Sequence, residues 1–310
     1  MRDNLKIPDP QPTNKGPGHV QSRRASVPVD HWQGMSRVWE LTGPPLRPSG
    51  EDIAFYTKAV DSWVRDRGAP RVLILGVTPE LYSLPWPAGT NIMALDHTKE
   101  MIDTVWPGPR NTAVCADWTA LPLQTGSRDI VLCDGGVHLV VYPGDHRQLV
   151  RTLHRVVASG GVCIFRLFVP PRKREAVDDV LGNLLEAKIA NLNILKLRLG
   201  MALQKDSSEG IELKRIWDTI HRVAPDFDRL ASRIGWPMEH LLAINTYRNS
   251  PVRYYFLTPD DVCRVFCENP GGFTLETVNV PSYELGERCP TVVLARNERL
   301  LRCDPTGNVP

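Results

Sequence analysis

The chain has 310 residues, of which 42% are hydrophobic and 23% charged, with a formal net charge of +2 at pH 7. That length buries a full core, as one large domain with an insertion or as two modest domains, and needs no staples. So even a charge creates no field that demands nucleic acid or a membrane surface, and the seven cysteines are scattered without zinc-ligand spacing, so no metal is expected and a reducing compartment is the simplest setting.

Residues 1–30 mix Pro, Gly, Asn, Gln and charges with no apolar run, which predicts a disordered tail and excludes a signal peptide. Arg23-Arg24-Ala25-Ser26 matches a basophilic kinase pattern but reads as a solvated arm. Residues 31–69 form an N-terminal helical segment, in which Ser49-Gly50-Glu51-Asp52 has capping-box spacing. Ile53, Tyr56, Val60 and Trp63 then mark one buried face of a helix.

Residues 70–170 change rhythm. Val72–Leu75, Ile92–Leu95, Ala113–Cys115, Ile130–Cys133 and Val162–Phe165 are short apolar runs without strict alternation, as in strands covered on both faces of a parallel sheet. Helical patterns over Thr98–Val105 and Asp145–Val157 lie between them, and the alternation predicts a doubly wound α/β fold of Rossmann type. Residues 171–257 break that rhythm with a long helical stripe from Val177 to Leu199 and further helical pieces from Ile211 onward, a helical cap inserted after the fifth strand. Residues 258–300 return to the sheet through Thr258-Pro259-Asp260-Asp261, a helix start with cap, proline and first-turn acids, followed by strands Phe273–Val280 and Thr291–Arg296. Cys263 and Cys267 share a helix face and read as buried structural thiols, and residues 301–310 are a second tail. No stretch approaches the roughly 20 apolar residues of a membrane span, so a cytoplasmic protein is expected.

The chemistry gathers at the strand ends. Gly76 closes the first strand, and Thr78-Pro79-Glu80 starts a short helix whose amides face the crevice beyond it. Asp96 ends the second strand twenty residues after Gly76, the interval of a carboxylate that accepts ribose hydroxyls, and His97 follows it. Asp117, with Trp118 beside it, ends the third strand, and Asp134 with Gly135 ends the fourth. Each acid has an alternative use as a turn or helix cap. A nicotinamide dinucleotide would need a Gly-x-Gly-x-x-Gly loop for its pyrophosphate, and only Gly76 is present; a ribose-bearing ligand with a sulfonium and no phosphate suits Glu80 better.

This layout resembles the class I S-adenosylmethionine-dependent methyltransferases over about Arg71–Phe168 plus the final strand pair. The resemblance implies S-adenosyl-L-methionine as cofactor, with Gly76 and Thr78 near its methionine end, Asp96 and His97 at the ribose, Asp117 and Trp118 at the adenine, and Asp134 and Gly135 facing the reacting centre. The chain departs from the family's first motif at Ile74, where an acid is usual, and at Thr78 and Glu80, where glycines are. It also lacks the Asn/Asp-Pro-Pro-aromatic motif of nucleic-acid amine methylation and the Pro-Cys of cytosine methylation, so no nucleic-acid partner is expected. Around the expected reaction edge lie His138, Tyr142 and His146, with His240, Tyr247, Arg253, Tyr254 and Tyr255 from the cap; His138 and Tyr142 are the candidate catalytic residues, His138 first because imidazole titrates near neutrality. An inserted lid that shields a pocket favours a small or medium-sized acceptor methylated on O, N or S by in-line transfer. The alternatives are a non-catalytic S-adenosylmethionine-binding protein and an NAD(P)-dependent oxidoreductase.

Overall fold

The computed structural model describes residues 29–268 and 272–297. The tail expected over 1–30 lies outside them up to residue 28, as do the Arg23–Ser26 pattern and the tail 301–310. Helix α1 (Val29–Arg37) and helix α2 (Gly50–Val64) precede strand β1 (Arg71–Leu75), the short helix α3 (Pro79–Tyr82), β2 (Asn91–Asp96), α4 (Lys99–Val105), β3 (Ala113–Cys115), β4 (Arg128–Asp134), α5 (Gly144–Val156) and β5 (Val157–Arg166). Helices α6 (Val177–Leu185) and α7 (Leu192–Leu203), β6 (Ile211–Glu212), α8 (Leu213–Val223), α9 (Phe227–Ile234), α10 (Met238–Leu242) and β7 (Arg253–Tyr254) follow. Helix α11 (Pro259–Phe266), β8 (Phe273–Asn279) and β9 (Thr291–Arg296) complete the fold.

Seven strands form one sheet in the order β3-β2-β1-β4-β5-β9-β8, with β1 to β5 parallel and β9 antiparallel to both its neighbours. This is a Rossmann-like, mostly parallel α/β sheet. Its strands lack alternation because both faces are covered. Leu73, Leu75, Val131, Cys133, Cys163 and Phe165 face α5 and α11, whereas Val72, Ile74, Ile130, Leu132, Val162 and Ile164 face α2 and α4. The strand order reverses between β1 and β4, which opens a crevice at their carboxyl ends.

Local chemistry sets the helix starts. Ser49 and Asp52 close a reciprocal capping box on α2, and Thr258 and Asp261 do the same on α11. The cap differs from the sequence expectation at two places. The stripe from Val177 to Leu199 is two helices, because Ala187 turns the chain at φ 57° and Asn191 caps a new start by accepting from the Ile194 amide at 2.9 Å. Ile211 opens no helix; Ile211–Glu212 pairs antiparallel with Arg253–Tyr254, and α8 begins at Leu213. The periodicity of apolar residues alone cannot show a two-residue ladder whose partner residues lie more than forty positions away. Cys263 and Cys267 are half-buried free thiols. Among the described residues no helix is long and apolar enough to cross a membrane.

Tyr56 fastens α2 to the strand ends. Fully buried, its hydroxyl donates to the Cys133 carbonyl at 2.9 Å and accepts from the Arg166 amide at 3.0 Å, so one oxygen satisfies backbone groups of β4 and β5. Tyr56→Phe leaves both unsatisfied and should destabilise the chain by about 1–3 kcal/mol. Urea unfolding checks this through a lowered midpoint at constant slope; an unchanged midpoint would mean that these bonds contribute nothing.

Candidate functional site

At the tip of β1, Gly76 adopts φ 90° and its amide donates to the Leu95 carbonyl at 2.8 Å, which bends the chain away from the sheet. Thr78 is buried and precedes α3, whose four residues are too few for a sizeable helix dipole. Asp96 is buried at the tip of β2, and its Oδ1 accepts from the Thr98 amide and hydroxyl, both at 2.9 Å, while Oδ2 has no side-chain partner among the described residues. Burial raises the Asp96 pKa and the Thr98 bonds oppose that rise. His97 follows, its ring 5.9 Å from Trp32 of α1.

Asp117 caps the next turn, accepting from the Thr119 amide and hydroxyl at 2.7 Å. Trp118 donates from Nε1 to the Leu95 carbonyl at 2.8 Å, which lays its ring across the tips of β1 and β4. A Cβ at Gly136 would lie 2.8 Å from that ring, and one at Gly135 would lie 2.8 Å from Phe168 with φ already at 61°. Glycine is required at both positions for the crevice wall to close this tightly.

Asp134 does not face the crevice as a free acid. It is buried and paired with Arg166 from the end of β5, which donates from Nε at 2.5 Å and Nη2 at 2.9 Å, while Nη1 donates to the Pro45 carbonyl at 2.7 Å. Arg47, two residues beyond Pro45, donates to Glu80 Oε1 at 2.7 Å and lies 5.0 Å from the Trp39 ring centre, whereas Glu80 Oε2 is buried with no hydrogen-bond partner among the described residues.

His138, in the turn after β4, is buried against Tyr254 at 4.3 Å, Phe168 at 5.0 Å and Phe256 at 5.8 Å between ring centres. Its carbonyl accepts from the Tyr255 amide at 2.8 Å, which joins the cap to the core. Tyr142 is committed elsewhere: its hydroxyl donates to Asp261 at 2.9 Å and accepts from Arg264 at 3.2 Å, and no described contact joins it to His138. His146 is fully buried beside Tyr142, and His240 sits near the surface next to Glu239. The cap tyrosines converge, with Tyr247 and Tyr254 hydroxyls 3.4 Å apart, while Arg253 bonds to Glu209 and Glu212 at the outside.

Burial lowers three imidazoles: His31 to about 4, His138 to about 3 and His146 to about 4. In the unfolded chain an imidazole titrates near ~6.5. As the pH falls through that value the unfolded chain takes up protons that the folded chain refuses, so stability present above pH ~6.5 is lost toward pH ~4, by up to ~1.4 kcal/mol per pH unit for each imidazole. Urea unfolding at pH 7 and pH 5 should show this loss, and His146→Phe should lessen it by about a third. An undiminished loss in the variant would mean that His146 is not held neutral.

The strand tips fit a ligand with a ribose and an amino-acid end. Asp96 offers the carboxylate oxygen that Thr98 does not engage, and Glu80 Oε2, buried and without a hydrogen-bond partner among the described residues, suits an ammonium group, with the Arg47 guanidinium beside it for a carboxylate. Sequence reasoning missed Arg47, Arg166, His31 and Lys196. The available signals were a cation closing the apolar run of β5, another inside the apolar α7, and the stiff segment Gly43-Pro44-Pro45-Leu46-Arg47.

A family model described as a methyltransferase domain matches residues 73–165, which spans β1 to β5. No curated protein matches the chain. Among solved structures, one described as a Zn-dependent alcohol dehydrogenase from Rhodobacter sphaeroides is 16% identical, with 87% of this chain and 98% of that chain covered and a TM-score of 0.58. The CurJ carbon methyltransferase is 11% identical, with 86% of this chain and 61% of that chain covered and a TM-score of 0.50. The CcbJ methyltransferase from Streptomyces caelestis is 12% identical, with 86% and 98% covered and a TM-score of 0.49. At such identities these structures speak for the fold alone, and among the described residues no group of three or more His, Cys, Asp or Glu is arranged to hold a metal. The family model and the order of the strands that carry it agree: residues 73–165 form a methyltransferase domain on a Rossmann-like sheet of the class I type, the fold of transferases whose cofactor is S-adenosyl-L-methionine.

Proposed function

We propose that the chain methylates a small or medium-sized molecule on O, N or S, inside a pocket closed by α1 and the cap. The observation that carries this reading is the enclosure of the reaction edge. His138, beside the tips of β4 and β5, is itself buried and walled by Phe168, Tyr254 and Phe256, two of them from the cap segment. Burial of this degree suits a small acceptor under a lid that excludes water better than a bulky polymer.

When bound, S-adenosylmethionine supplies a methyl group on a sulfonium, the electrophile of an in-line displacement. The protein's own part is alignment and dryness, which suffice for much of the rate in such a transfer. Asp96 accepts the ribose hydroxyls, with His97 beside it. Trp118 presents a flat apolar face to the adenine, and Asp117 stands next to its amine. Gly76 and Thr78 leave room for the methionine end, with Glu80 and Arg47 as its charge partners. Asp134, neutralised by Arg166, lines the floor with Gly135 without adding net charge near the sulfonium. His138, with its pKa depressed to about 3, stays neutral and orients the acceptor as a hydrogen-bond partner; so weak a base is a poor store for the acceptor's proton. Tyr142 holds α11 against the loop after β4.

Calorimetry with S-adenosylhomocysteine tests the cofactor half. Asp96→Ala should weaken binding by roughly 5- to 150-fold, the loss of about 1–3 kcal/mol from an unpaired buried ribose, whereas the surface variant Asp103→Ala should leave it unchanged. Equal affinities in the two variants would displace the ribose from Asp96. Mass-spectrometric screening of metabolite extracts for a methylated product tests the acceptor half.

A further inference from the structure

Helix α7, Leu192-Asn193-Ile194-Leu195-Lys196-Leu197-Arg198-Leu199, is apolar nearly all round, and Lys196 in its middle is only 4% exposed. A lysine this buried is ordinarily paired with a carboxylate. Lys196 has none: among the described residues no acid or hydrogen-bond acceptor pairs with its Nζ, which lies 4.9 Å above the ring of Tyr247. Burial alone lowers its pKa, to about 8, so the ammonium persists at neutral pH.

Its surroundings repeat the pattern of unmet polar groups. His31 lies near enough for the Lys196 charge to oppose its protonation, and its ring is 5.9 Å from Tyr247. His31 Nδ1 pairs with the Thr246 carbonyl at 3.2 Å, which makes Nδ1 the donor and leaves Nε2, buried and without a partner among the described residues, as an acceptor. Trp32, 5.0 Å from His31, also buries an unpartnered Nε1 and touches His97 beyond Asp96. On the other side Tyr247 meets Tyr254, and Tyr254 meets His138. The group therefore bridges the ribose edge and the reaction edge of the crevice.

A buried cation without a counter-ion is costly unless a ligand supplies the charge, and the flat rings around it suit an aromatic body. We propose that Lys196 anchors an acceptor subsite for an aromatic molecule bearing a carboxylate, enclosed by His31, Tyr247 and Tyr254. The subsite deepens the small-acceptor reading above and rests on it. The ammonium takes the carboxylate, and His31 Nε2 is left to accept from a hydroxyl on the same ring.

Benzoate and its neutral counterpart benzamide are the probes, titrated by calorimetry into the full chain saturated with S-adenosylhomocysteine. Benzoate should bind at least about tenfold tighter, as a charge-assisted hydrogen bond requires, and Lys196→Met should abolish that preference while keeping the apolar stem. Equal affinities, absence of benzoate binding, or a preference that survives in Lys196→Met would overturn the subsite. Should Lys196→Met not fold, the benzoate-to-benzamide ratio of the unsubstituted chain decides alone. Binding of S-adenosylhomocysteine to the same sample reports separately: its failure would strike the methyltransferase reading, whereas its success without a benzoate preference would strike only the anionic subsite.

Discussion

Arg166 is fully buried, yet it carries a charge, and the arrangement of the site follows from how that charge is met. Asp134 takes two of its N–H groups, the Pro45 carbonyl takes a third, and Phe168 covers the guanidinium face at 5.2 Å. Coulomb attraction and burial act in opposite senses here. Attraction to Asp134 holds Arg166 charged, while burial raises the Asp134 pKa against the pull of the guanidinium. Breaking such a pair by removing one partner leaves an uncompensated buried charge and costs about 3–5 kcal/mol. The pair thus ties three things into one unit: the tips of β4 and β5, the Gly43–Arg47 segment, and, through Tyr56, helix α2.

That unit decides what can stand at the crevice mouth. Once Pro45 is held by Arg166, Arg47 is delivered to Glu80, and the turn after β1 gains a cation that the strand itself does not encode. The missing acid at Ile74 and the missing glycines at Thr78 and Glu80 then have a structural counterpart. The proposed charge complement of an amino-acid end is this Arg47–Glu80 pair, supplied by the segment before the sheet. The same crowding lowers the pKa of the histidines on the cap side, because burial among Phe168, Tyr247, Tyr254 and Phe256 disfavours the charged imidazole. Imidazoles lowered this far favour alignment over proton transfer.

The sheet was open to reading because a strand covered on both faces is an uninterrupted apolar run, and Val72–Leu75 or Ile130–Cys133 can hardly be anything else between turn residues. The two capping boxes were equally plain, since Ser49 with Asp52 and Thr258 with Asp261 act within one turn. The cap was less legible. Its apolar stripe is continuous in sequence, but Ala187 and Asn191 divide it, and β6 depends on a partner that only folding brings near. Of the site, Asp96, Asp117 and Asp134 could be placed at strand ends from spacing. Their bonds differ, however: Asp96 bonds to Thr98 through Oδ1, Asp117 caps a turn, and Asp134 is consumed by an arginine.

The sequence by itself determined the parallel α/β core, the order of acids along the strand tips, and the family to which they point, because each is a local property of strand, turn or cap. Tertiary structure alone decided which charges meet. Arg166 with Asp134, Arg47 with Glu80, and Lys196 with no counter-ion among the described residues are outcomes of packing between segments distant in the chain. A buried charge takes its partner from whatever the fold places within hydrogen-bond reach, and that distance is not written in the spacing of residues.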